Sequence, residues 1–203
     1  MMTFAKALRL CVALFIAGIG FANAFATTVI PPTFEEMTDR AEVIFVGKVV
    51  SLRSEWRGVG TQRAIFTLVE FEKTETLKGD PGRSITLQFL GGTVGEATLE
   101  VGGVPKFKVG DRELLFVAKN GVQVCPIVGV FHGKFGVRKD QKSGRDFLVR
   151  HNGKELRNVA EIGAGEPGAA RASLSAAGSA EPLSLDDFKE KIRGRVAAGA
   201  KKK

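Results

Sequence analysis

Between residues 43 and 151 the chain never settles into a helical period; short β-branched and aromatic runs alternate with glycine-bearing turns. That pattern constrains the fold most, because such runs point alternate side chains to opposite faces and cannot serve as amphipathic helices. About seven runs are legible, at 43–50, 64–76, 84–90, 97–101, 113–118, 127–138 and 146–151. In the third, Ile85, Leu87 and Phe89 share one face while Ser84, Thr86 and Gln88 share the other. In the second, alternation changes phase near Val69, as a bulge or sharp bend would produce. In the sixth, Ile127, Phe131, Phe135 and Val137 share one parity, and His132, Lys134 and Arg138 the other. One long strand there would bury the first set and display the second. Gly91-Gly92, Gly102-Gly103, Gly110-Asp111 and Ser143-Gly144 mark turns, and Asn152-Gly153 marks a hairpin. The expectation is an all-β domain over residues 27–159, a small closed barrel or sandwich of about five to seven strands.

Helical spacing occurs only outside this region. Thr33 and Glu36 fit a capping box, and Phe34, Met37 and Ala41 follow at helical intervals, which predicts one short helix before the strands. Residues 160–183 are rich in Ala, Gly and Ser, too poor in large apolar groups to fold alone, and read as a flexible linker. Residues 184–203 read as a short basic helical tail, with Leu185, Phe188, Ile192 and Val196 on one stripe and Lys201-Lys202-Lys203 at the end. Two uses of that stripe are open. It packs back onto the strands, or it lies on an anionic membrane surface with Lys189, Lys191, Arg193 and Arg195 beside it.

The first 26 residues read as a secretory signal peptide. Lys6 and Arg9 give a positive start, residues 10–21 an apolar run, and Ala22-Asn23-Ala24 and Ala24-Phe25-Ala26 two cleavage sites. That run is well short of the roughly 20 residues needed to span a bilayer. The expected location is therefore exported, either periplasmic or extracellular. After cleavage only Cys125 remains, which leaves no internal disulfide. The chain's formal charge of +8 suits an acidic partner or surface, but export argues against nucleic acid.

Three stretches carry a family resemblance: 41–49 (AEVIFVGKV), 74–79 (TETLKG) and 109–116 (VGDRELLF). Their order resembles an oligonucleotide/oligosaccharide-binding (OB) barrel. More narrowly, it resembles the netrin-like module of tissue inhibitors of metalloproteinases, a layout shared by a group of exported bacterial proteins. The resemblance covers about half the chain and implies a barrel, not an activity. The inhibitors chelate their target's zinc through a disulfide-bonded N-terminal cysteine. Cleavage here would expose Phe25 or Thr27 with no cysteine nearby, so zinc chelation does not carry over.

The catalytic inventory is small: two histidines, one mature cysteine and no tyrosine. Cys125 and His132 on one strand would stand more than about 20 Å apart, too far for a nucleophile and its base. Cys125 reads more simply as a small buried hydrophobe. His132 and His151 lack a third ligand at metal-site spacing, and no glycine-rich loop opens a helix to hold phosphate. No catalytic residue, metal or cofactor is therefore assigned. The binding candidates are Arg53, Trp56 and Arg57, in a stretch read as a polar loop, and the outward stripe His132, Lys134 and Arg138. An aromatic between arginines suits an interface, and capping one end of the barrel is the other use of Trp56. The function these features suggest is a non-catalytic binding module for a protein or glycan partner. An envelope-associated accessory protein held by its tail is the first alternative, and a hydrolase with an unrecognised site the second.

Overall fold

Val43, Ile44, Phe45 and Val46 are consecutive, and consecutive strand residues face opposite ways, so both faces of this strand have to be covered. The computed structural model, which describes residues 31–163 and 181–201, shows how. The signal segment expected at 1–26 and residues 164–180 of the expected linker lie outside the described residues. Eight strands run β1 (Val43–Arg57), β2 (Ala64–Lys78), β3 (Ser84–Leu90), β4 (Gly92–Val94), β5 (Ala97–Leu99), β6 (Arg112–Val117), β7 (Lys134–Lys139) and β8 (Asp146–Val149). Six form one antiparallel sheet in the order β3-β2-β1-β6-β7-β8, and β4 and β5 make a separate hairpin. Helices α1 (Phe34–Arg40) and α2 (Leu185–Ala200) flank it, so the fold is mostly β with a helical layer.

One face of the sheet buries Ile44, Val46, Leu114, Phe116, Phe135, Val137 and Leu148 beneath both helices. The other buries Phe45, Val49, Val69, Phe71, Leu87, Phe89 and Leu115, closed over by Phe107, Cys125 and Ile127 from connecting segments. The sheet can curl this way because the β1–β2 ladder slips three times. Val49 faces Phe71 while Ser51 faces Glu70, which makes Val50 an extra residue on β1; Thr74 and Leu77 are the extras on β2. Each bulge adds local twist. The bulge or bend expected near Val69 lies elsewhere: β2 pairs without interruption from Phe66 to Glu72, and its extra residues are Thr74 and Leu77.

The ladder is open, with β3 and β8 at its ends, and no closed barrel is formed by the strand pairing of the described residues. Neither end is left bare, as sheet edges seldom are. The Asn120 amide accepts from the Gln88 N–H at 3.0 Å and donates to the Thr86 carbonyl at 2.8 Å, standing in for a strand beside β3. The Leu90 N–H donates to the Val124 carbonyl at 2.8 Å. Beside β8, Glu155 bridges Val149 and Ser184 bridges Phe147.

Three expectations are corrected. Residues 127–138 are not one strand: Gly129 (φ 67°) and Val130 (φ 64°) turn the chain left-handed, and only Lys134–Lys139 pairs as β7. Stretch 53–58 is not a loop, because β1 runs on to Arg57 and the turn begins at Gly58. The expected linker contributes to the core at its near end, where Ile162 is 7% exposed. The capping box at Thr33 and Glu36 forms as expected, with bonds of 3.0 and 3.2 Å.

The two uses of the α2 stripe resolve in favour of packing. Leu185, Phe188 and Ile192 are buried in the sheet core and Val196 packs beside them. Lys189 reaches Glu75 at 3.0 Å, Arg193 also pairs with Glu75, and the Arg195 Nε donates to Asp39 at 2.9 Å. No helix among the described residues is long and apolar enough to cross a membrane.

Candidate functional site

The β4–β5 hairpin stands over the curled face because one residue lets it come close. At Gly92 (φ 136°) a Cβ would sit 2.4 Å from both the Ser54 Oγ and the Thr67 Oγ1, so only glycine fits. Those two hydroxyls lie 3.0 Å apart, and Thr67 also donates to the Gly91 carbonyl at 2.7 Å. The Gly91 N–H in turn donates to the Ile65 carbonyl at 2.8 Å, which roots the hairpin on β2. Beyond β5 the chain returns through Val101 to Phe107. The Phe107 ring packs against Phe71 at 5.5 Å and Phe89 at 5.1 Å between centroids.

Between hairpin, return segment and sheet lies a cleft of about 530 Å³. Leu52, Val69 and Phe89 form its floor, Val101, Val104 and Phe107 its wall. Thr93, Thr98, Glu100 and Lys106 bring polar groups to its margin. A mostly apolar hollow with a few polar groups, within the ~300–1,000 Å³ range, is what small-ligand and side-chain sites require. Neither histidine nor cysteine lines it.

None of the six residues singled out in the sequence lines this cleft. Arg53, Trp56 and Arg57 share β1, and strand alternation separates them: Trp56 projects on the side of Leu52 and Ser54, the arginines on the other. Trp56 is 41% exposed, and the Arg63 guanidinium lies 4.8 Å from its ring centroid, from across the turn. Arg57 instead bonds Glu55 at 2.6 Å and Gln88 from β3. Arg53 stands 3.7 Å from Glu55.

His132, Lys134 and Arg138 do not form one outward stripe either. His132 falls in the turn before β7, its ring 4.4 Å from Phe131 and 5.3 Å from His151. Lys134 is directed inward: its Nζ donates to Glu113 at 2.8 Å, with the two side chains only 16% and 1% exposed, and lies 5.2 Å from the Phe107 ring centroid. Arg138 is exposed and adds positive potential at Glu113. Burial pushes the Glu113 carboxyl above its usual range, opposed by Lys134, and its second oxygen has no hydrogen-bond partner. Sequence reasoning missed this pair, since Glu113 opens an apolar run with nothing to flag it.

Cys125 belongs to the core of the curled face and donates to the Val130 carbonyl at 3.7 Å. Burial pushes its thiol up, the opposite of what activates a nucleophile. No three His, Cys, Asp or Glu residues converge as metal ligands among the described residues. The signals for the cleft were the glycine pairs at 91–92 and 102–103, read in sequence only as turns. Comparison of the chain with protein-family models, curated proteins and solved structures finds no match.

Proposed function

We propose that this chain is an exported, non-catalytic binding module that receives part of a protein or glycan partner in the cleft beneath the β4–β5 hairpin. The observation that carries the reading is the cleft itself, about 530 Å³ with an aliphatic and phenylalanine floor and threonines at its margin. Such a floor suits an apolar side chain or the apolar face of a sugar, and the hydroxyls suit its polar edge. The curled half of the sheet supports reading it as an OB-like barrel. Bulged β1 and β2 wrap around Phe45, Phe71 and Phe89, and the segment after β6 bonds back to β3. In OB folds the ligand face lies beside the loops joining the strands. Trp56 lies on the same face of β1 as Leu52, two residues beyond Ser54.

Thr98→Trp at the cleft margin should lower affinity at least about tenfold with the melting temperature unchanged, because it fills space and removes no core contact. Trp56→Ala should weaken binding by about 2 kcal/mol, again without a change in melting temperature. If Trp56→Ala lowers the melting temperature and leaves binding alone, the ring caps one end of the barrel and the interface lies elsewhere. Export is tested separately, by mass spectrometry of the mature protein: a start at Phe25 or Thr27 is expected, and an intact Met1 on a membrane-embedded species would contradict it.

A further inference from the structure

β1 outruns its neighbours. β6 pairs with it over Val43–Lys48, and the last bonds on that side join Val49 to Gly110 and Asp111. From Ser51 to Arg57 the strand pairs with β2 alone, and among the described residues no strand lies along its other edge. The ends of the sheet at β3 and β8 are both covered, which makes this seven-residue edge different from them.

We propose that a second copy of this chain docks there, β1 edge against β1 edge, antiparallel about a two-fold axis through Ser54. The strand is complementary to itself. A two-fold axis perpendicular to the sheet places residues of equal parity opposite one another. Centred on Ser54, Arg53 faces Glu55 twice, Leu52 faces Trp56 twice, and Ser51 faces Arg57. Opposite charges and apolar pairs directly across a ladder stabilise it, and like charges destabilise it. Centring on Glu55 would set Glu55 against itself and Arg53 against Arg57; centring on Arg53 would set two arginines together. A register centred on Trp56 pairs Glu55 with Arg57 but reaches beyond Gly58, where φ is 85° and β1 has ended. Both side chains reach solvent, with Arg53 66% and Glu55 37% exposed, and in the dimer Arg53 of the second copy would share the Glu55 carboxylate with Arg57, which bonds it at 2.6 Å within one chain. The axis keeps like faces on one side, so the sheet would continue through the dimer and both clefts would open on the same surface. A partner with two attachment points would then bind far more tightly than one with a single point.

Sedimentation equilibrium on the full mature chain tests this. Wild type should show a monomer–dimer equilibrium. Glu55→Arg should weaken dimerisation at least about tenfold, since each change acts twice across the axis. Arg53→Glu combined with Glu55→Arg should restore it. An equimolar mixture of Arg53→Cys and Glu55→Cys chains should form a disulfide-linked dimer under mild oxidation, because this register sets those two positions opposite each other, and it reports on the register even if a charge variant folds poorly. A wild type that stays monomeric at millimolar concentration would overturn the proposal. So would a dimer indifferent to Glu55→Arg, or one rescued by Arg57→Glu and not by Arg53→Glu. Dimerisation can fail while Thr98→Trp still blocks ligand binding, so this proposal and the cleft reading fall separately.

Discussion

Phe188→Ala should destabilise the protein by about 3–5 kcal/mol in urea denaturation, the range for deleting a fully buried phenylalanine. The ring is 0% exposed, and its centroid lies 5.6 Å from Phe34, 5.4 Å from Phe135 and 6.2 Å from Phe116. It joins α1, α2 and the sheet in one core, so its loss leaves a cavity that three elements border. A tail resting free of the sheet would lose almost nothing on the same change. A chain ending at Ala180 should accordingly lose its cooperative transition, because α2 supplies much of the cover for one sheet face. A loss below about 1 kcal/mol for Phe188→Ala would show that α2 is not docked.

Lys134→Met should cost about as much, roughly 3–5 kcal/mol, by stranding the Glu113 carboxylate without its partner. Replacing both members of the pair, as Glu113→Gln with Lys134→Met, should recover most of the loss, since no buried charge then remains. The pH dependence has a definite sign. Burial already holds the Glu113 carboxyl above its usual range, and removing Lys134 raises it further. A folded pKa above the unfolded one means that the ionisation penalty is absent below the unfolded value. The penalty grows as pH rises through the folded value. The deficit of Lys134→Met against wild type should therefore be largest at neutral pH and shrink toward about pH 4, the ordinary glutamate range. A deficit that does not change over that interval would mean Glu113 is solvated.

Where one residue type repeated at one period, the sequence could be read directly. The capping box at Thr33, the alternation of Ile85, Leu87 and Phe89, and the stripe on α2 all appear in the fold at those positions. Reading failed where tertiary contacts decide. Stretch 53–58 is polar enough to be a loop, yet β2 supplies a full ladder for it through Arg57. Residues 127–133 carry strand parity, but Gly133 cannot take a side chain, since a Cβ would lie 2.7 Å from the Val128 carbonyl oxygen. The cleft was illegible for a related reason. Its walls come from segments scattered between Leu52 and Phe107, and only the approach of Gly92 to Ser54 and Thr67 brings them together.

The central claim, that the cleft under the β4–β5 hairpin is the binding site, is tested most directly by nuclear magnetic resonance. The ¹⁵N-labelled mature chain would be titrated with a panel of short extended peptides and oligosaccharides. A member that binds should perturb the amides of Leu52, Thr67, Phe89, Val101 and Gly103, and Thr98→Trp should abolish those perturbations. Binding that instead moves amides around His132, Arg138 or α2, and leaves the cleft residues unmoved, would contradict the account.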